Sequence, residues 1–166
     1  MPPDAAPGER PARTIWTIGH STHTADSLVA LLQAYGIELD ADVRSFPVSR
    51  KNPQHNREPL GTALAKAGIE YEWLGESLGG YRKGGYQAHM LTPQFAEGLE
   101  HLETLAAEKA TAIMCAERLF FRCHRRHIAD ALVRRGWRVV HIFDERRAQP
   151  HKPRGEQPTL PFDEGA

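Results

Sequence analysis

The chain predicts a single α/β domain, a three-layer Rossmann-like sandwich around a mainly parallel sheet of about five strands. Two observations carry that expectation. Short β-branched or aromatic segments alternate with segments of helical period, which implies right-handed βαβ units. The connections are also unequal: those from helix to strand are short, and those from strand to helix are long and polar.

The first strand is Thr14–Ile18, ended by Gly19. Thr24 then caps a helix running to Tyr35, with Leu28, Leu31 and Leu32 on one face and Gly36 as its stop. Residues 37–43 read as a second strand, interrupted by Asp40 and Asp42. After a polar loop, Pro59 opens a short helix closed by Gly68, and residues 69–74 form a third strand. Thr92-Pro93 starts the next helix, with Pro in its first turn and Phe95, Leu99 and Leu102 in its buried stripe. Thr111–Cys115 is a fourth strand, Cys123–Arg135 a helix stopped by Gly136, and Trp137–Phe143 a fifth strand. The predicted domain therefore covers residues 13–145. Residues 1–12 and 146–166, rich in Pro and charge, are expected to be disordered tails.

Composition narrows the function classes. At 40% hydrophobic and 25% charged, the chain has the balance of a globular domain. Basic and acidic residues number 21 each, so bulk charge provides no attraction to nucleic acid, and only a local basic patch could. Two cysteines make no disulfide framework, the N-terminus lacks the apolar run of a signal peptide, and no segment approaches a membrane span. A cytoplasmic protein with reduced thiols and no membrane partner is the expectation.

In an open α/β sheet the strand-to-helix loops gather at the carboxyl edge, where ligands bind. The first such loop begins Gly19-His20-Ser21; His20 could move protons or ligate a metal, and the plainer reading is a Gly turn before a Ser/Thr cap. The second carries Asp42, Arg44, Ser45 and Arg50, types suited to phosphate or carboxylate binding. An internal Asp42–Arg44 ion pair is the equal alternative, and both can hold together. The third, Gly75–Leu91, has Gly79 and Gly80 beside Tyr81, Arg82 and Lys83, and reads as a surface loop or a mobile flap. The fourth runs from Cys115 through Glu117 to Cys123, His124 and Arg125. Glu117 lies just past a buried strand, and Cys123–Arg125 are expected in a first helical turn, which favours anions and lowers a thiol pKa. Cys115 reads as a small buried hydrophobe rather than a nucleophile. His20, Asp42, Arg44, Glu117 and His124 are expected to line one pocket.

These stretches resemble the uncharacterised family called domain of unknown function 488. The matching residues are Thr17–Ser21, Asp42–Arg50, Leu78–Gly80 and Cys115–Glu117 leading to Cys123–Arg125. The resemblance implies an α/β sandwich and supplies no reaction. Separately, Gln157, Leu160 and Phe162 in the C-terminal tail resemble the short peptide by which bacterial replication and repair proteins dock on the sliding clamp.

Three functions follow as expectations. The first is an enzyme acting on a nucleotide or nucleic acid, hydrolysing or transferring at an N-glycosidic or phosphoester bond. Glu117 would be nucleophile or general base, with His20, His124 and Asp42 in supporting catalytic roles. Ser21, Arg44, Ser45, Arg50, Gly79, Gly80, Cys123 and Arg125 would hold the anion. The second is a non-catalytic nucleotide- or DNA-binding module recruited through its tail. The third is a metal site of Cys123, His124 and His20. The sequence requires no cofactor.

Overall fold

The computed structural model describes residues 13–153. Along the chain come β1 (Thr14–Gly19), α1 (Ala25–Ala34), β2 (Leu39–Asp42), α2 (Arg57–Lys66) and β3 (Glu70–Trp73). There follow α3 (Gly75–Leu78), α4 (Tyr86–His89), α5 (Pro93–Glu108), β4 (Thr111–Cys115), α6 (Arg125–Arg134), β5 (Arg138–Ile142) and β6 (Ala148–Pro150). The strands form one sheet in the order β3-β2-β4-β1-β5-β6, parallel throughout except for β6. One apolar cluster packs α5 and α6 on one face through Phe95, Leu99, Leu102, Ile128 and Leu132. The other packs α1 and α2 on the opposite face through Leu28, Leu31, Leu32, Leu60 and Leu64. This is the expected three-layer sandwich.

Local chemistry explains the elements. Thr24 accepts from the Ser27 N–H and Thr92 from the Phe95 N–H, so each hydroxyl satisfies an orphan donor of a first turn. Gly36, Gly68 and Gly136 leave their helices at positive φ. The α2 helix begins two residues before Pro59, because Asn56 is already extended and releases the chain into a helix there.

The β2 sequence Leu-Asp-Ala-Asp alternates, sending Leu39 and Ala41 to one layer and both aspartates to the other. Asp40 is fully buried, and neither carboxyl oxygen has a hydrogen-bond partner. Burial, aided by the neighbouring Asp42 charge, holds its pKa well above the usual carboxylate value. The folded state therefore binds a proton that the unfolded chain releases above pH about 3.9, and Asp40 lowers stability increasingly as pH rises from there. Asp40→Asn, which has no proton to keep, is expected to melt higher than the parent at pH 7–8. The advantage should shrink toward pH 3, as thermal melts across that range would show.

The folded part runs past the expected boundary at Glu145. Asp144 accepts from the backbone N–H groups of Arg146 and Arg147, turning the chain back so that Ala148–Pro150 pairs antiparallel with β5. His151 then donates its backbone N–H to Val139 and hydrogen-bonds Asp130. A three-residue strand containing proline carries little sequence signal, and pairing with β5 rather than propensity makes it.

Candidate functional site

β1 and β4 are neighbours, but the chain leaves β1 for α1 on one face and β4 for α6 on the other. Their carboxyl ends therefore bound a crevice at a topological switch point. A cavity of about 350 Å³ opens there, lined by His20, Ser21 and Thr22 after β1, and by Ala116, Glu117 and Arg118 after β4. The polar loop after β2 contributes Ser49, Arg50, Lys51 and Asn52. Three cations, three hydroxyls and one carboxylate face the same space.

The crevice is built by close backbone contact. The N–H groups of His20 and Ser21 donate to the carbonyls of Cys115 and Ala116 at 2.8 and 3.0 Å. A Cβ on Gly19 would lie 1.9 Å from the Glu117 carbonyl oxygen, so glycine is required there by the crossing of the Glu117 loop. Ser21 sits at φ 47°, a strained conformation for a serine.

Behind the pocket floor lies a buried polar network. Arg44 grips Asp42 through Nε to Oδ1 at 2.9 Å and Nη2 to Oδ2 at 2.8 Å, and Tyr71 donates its hydroxyl to the same carboxylate. Arg44 also donates to the His55 carbonyl at 2.8 Å and approaches His20 Nε2 at 3.3 Å. With Nε2 facing a guanidinium, His20 is a neutral imidazole donating from Nδ1 to the Ser21 carbonyl at 2.9 Å. Burial is the main cause that lowers its pKa to about 4, and the nearby His55 and Arg44 add to it. The His55 ring packs on it at 4.2 Å between centroids.

The expected single cluster is thus divided. His20, Ser21, Arg50 and Glu117 share the cavity. Asp42 and Arg44 are buried beneath it, their charges spent on one another, so the ion-pair reading describes them. Ser45 accepts from the Tyr81 N–H at 2.8 Å and steadies the third loop. Gly79 and Gly80 allow close packing: a Cβ would strike Ser45 at the first and the His124 ring at the second. This loop is not plain coil, since α3 and α4 form within it. Arg82 ties the loop to the carbonyls of Gly75, Glu76 and Gly79, and Tyr86 ties it to that of Leu78.

The fourth loop departs furthest from expectation. Helix α6 starts at Arg125, after a turn of 3-10 helix over Phe120–Arg122, so Cys123 precedes the helix and His124 is only its flanking residue. Arg125 is buried, not anion-facing. Its guanidinium donates to Cys115 Sγ at 3.1 Å, Thr17 Oγ1 at 2.9 Å and the Glu117 carbonyl at 2.6 Å. His124 donates from Nε2 to the Val43 carbonyl at 2.7 Å and lines a separate cavity with Cys123. The expected metal set does not assemble: among the described residues no group of three His, Cys, Asp or Glu side chains is placed to hold a metal ion. Sequence reasoning left out Lys51 and Arg118, neighbours of residues it chose, and the supporting His55 and Tyr71, whose partners are distant in sequence.

The model of the family described as Domain of unknown function DUF488 matches residues 24–132. The chain belongs to that family. No curated protein and no solved structure matches it. The DUF488 stretch includes the buried Asp42–Arg44 pair and the Glu117–Arg125 loop, whereas Thr17–Ser21 lies ahead of it. None of the described helices is long and apolar enough to cross a membrane.

Proposed function

We propose that this DUF488 protein is an enzyme acting on a nucleotide or nucleic acid, hydrolysing or transferring at a phosphoester or N-glycosidic bond. The observation that carries the reading is the meeting of Arg50, Lys51 and Arg118 with Ser21, Thr22 and Ser49 around Glu117 at the switch-point crevice. Cations and hydroxyls suit phosphate oxygens, and a carboxylate among them suits a base or nucleophile at an adjacent carbon or phosphorus. His20 serves here as a neutral positioning residue rather than a proton carrier, since both ring nitrogens face protein groups.

Binding is tested by titrating pyrophosphate, nucleoside monophosphates and a short single-stranded oligonucleotide. Arg50→Ala with Lys51→Ala is expected to weaken binding roughly tenfold or more. On the oligonucleotide it should flatten the logarithmic salt dependence by about 0.7 for each phosphate that is no longer neutralised. Unchanged affinity and slope would remove the anion site.

A non-catalytic binding module is the second reading, favoured by the engagement of both His20 nitrogens, which leaves Glu117 without an evident proton-shuttling partner. Turnover separates the two: phosphate binding with no product from any nucleotide or nucleic acid supports the module.

The peptide Gln157–Phe162 lies outside the described residues. We propose that it docks on the sliding clamp, Leu160 and Phe162 filling an apolar groove and Gln157 fixing register. Affinity should be about micromolar, equivalent to roughly −8 kcal/mol. Ending the chain after Gly155 should abolish clamp binding in a titration and leave the melting temperature unchanged. A lowered melting temperature would instead mean that the peptide packs on the domain.

A further inference from the structure

The two cysteines sit apart from the anion pocket, and their surroundings differ. Cys115 ends β4 inside the apolar core and is almost completely buried. Cys123 follows the 3-10 turn, is half-buried, and lines a cavity of about 290 Å³ with Tyr86, Phe121, Arg122, His124 and Arg126. Although eight residues apart, their sulfurs are 2.7 Å from one another. A disulfide needs roughly 2.05 Å, so a shift of about 0.7 Å closes the bond.

The donors around the pair are directional. The Arg125 backbone N–H points to Cys123 Sγ at 3.4 Å, and His124 Nδ1 approaches the same sulfur at 3.4 Å. His124 Nε2 is held on the Val43 carbonyl, so the ring is fixed with Nδ1 toward the sulfur. A negative charge on Cys123 is thereby met by the Cys115 S–H and the Arg125 amide, with the His124 ring nitrogen beside it. Its pKa is accordingly lowered to about 4, first by the Cys115 contact, while burial raises that of Cys115. The Arg125 Nε, 3.1 Å from Cys115 Sγ, faces the second sulfur and would steady its thiolate as it forms. The pair thus has a half-buried, charge-stabilised sulfur at a cavity wall, backed by a buried one within bonding reach, the arrangement of an attacking and a resolving thiol.

We propose that Cys115 and Cys123 form a reversible thiol–disulfide pair that exchanges with low-molecular-mass disulfides, Cys123 attacking and Cys115 resolving. In the first step the Cys123 thiolate attacks one sulfur of the small disulfide. The Cys123–sulfur bond forms, the original S–S bond breaks, and one small thiolate leaves. In the second step Cys115 attacks Cys123 Sγ and passes its proton to the departing group: the Cys115–Cys123 bond forms, the mixed disulfide breaks, and the second small thiol leaves. The protein dithiol is oxidised by two electrons, the small disulfide is reduced by two, and two small thiols are the products once protonated. The cavity beside Cys123 has Arg122 and Arg126 on its wall, cations suited to the carboxylates of an anionic disulfide such as that of glutathione.

The test is an equilibrium series of the full chain in mixtures of reduced and oxidised glutathione, quenched in acid, alkylated and weighed by mass spectrometry. The expected product is a monomer that has lost two hydrogens and resists alkylation, reverting to the dithiol at high reduced glutathione. Cys115→Ser should accumulate a mixed disulfide on Cys123, whereas Cys123→Ser should leave Cys115 unmodified while folded. A chain that keeps two alkylatable thiols in fully oxidised glutathione overturns the pairing, as does a disulfide formed only between two chains. A mixed disulfide that settles on Cys115 first overturns the assigned order. If either serine variant fails to fold, the parent series decides the pairing, and partial alkylation of the reduced parent decides the order: Cys123 must label before Cys115.

Discussion

Replacing Arg44 with Met is expected to lower folding stability by about 3–5 kcal/mol, the cost of leaving a buried charge without its partner. Asp42 is completely buried and Arg44 nearly so, and the bidentate grip supplies two of the carboxylate's four hydrogen bonds. The substitution leaves Asp42 with the Tyr71 hydroxyl as its main side-chain donor, and it also releases the His55 carbonyl and His20 Nε2. Urea denaturation would measure the loss. Adding Asp42→Asn to the Met variant should recover part of it, because the stranded charge is then gone. A variant within about 1 kcal/mol of the parent that no longer bound phosphate would restore Arg44 to the role of ligand clamp.

Glu117→Gln is expected to reduce turnover by at least about 100-fold, the usual scale for losing a positioned acid–base group. Phosphate affinity and melting temperature should stay near those of the parent. The side chain is exposed to the cavity and accepts the Leu119 N–H at 3.4 Å, a bond that Gln can keep, while the backbone carbonyl receives the Arg125 guanidinium. The amide keeps that backbone and removes only the charge. Single-turnover assays on the substrate that binds best would check it. A fully active Gln variant would eliminate Glu117 as base or nucleophile.

Much of this architecture was legible in the residues. Thr111–Cys115 reads as a strand because it is short, apolar and bounded by turns, and it is one. Thr24 and Thr92 announce helix starts through hydroxyls that can accept from first-turn N–H groups. The inequality of the loops located the carboxyl edge, and with it His20, Arg50 and Glu117. What failed shares a cause: side-chain direction depends on partners far along the chain. Arg44 and Arg50 look equivalent in sequence, yet one is drawn inward by Asp42, two residues before it, and by the His55 carbonyl. Arg125 looks like a first-turn cation, yet Thr17 and the Glu117 carbonyl turn its fork into the domain. The helices within Gly75–Leu91 depend on Arg82 satisfying carbonyls at the end of α3, a tertiary effect that periodicity over four residues cannot reveal.

The outermost strand β6 bears on how copies of this chain meet in solution. The backbone N–H of His151 turns inward to Val139, so the nitrogen of the preceding residue faces away from the sheet. That residue is Pro150, which has no hydrogen to donate. An incoming strand seeking to extend the sheet along this side would find a missing donor in a three-residue segment. The opposite edge, β3, presents Glu70 and Glu72, paired with Lys109 and His101. One rim is chemically incomplete and the other is charged, so strand addition from a neighbouring molecule is disfavoured at both ends of the sheet.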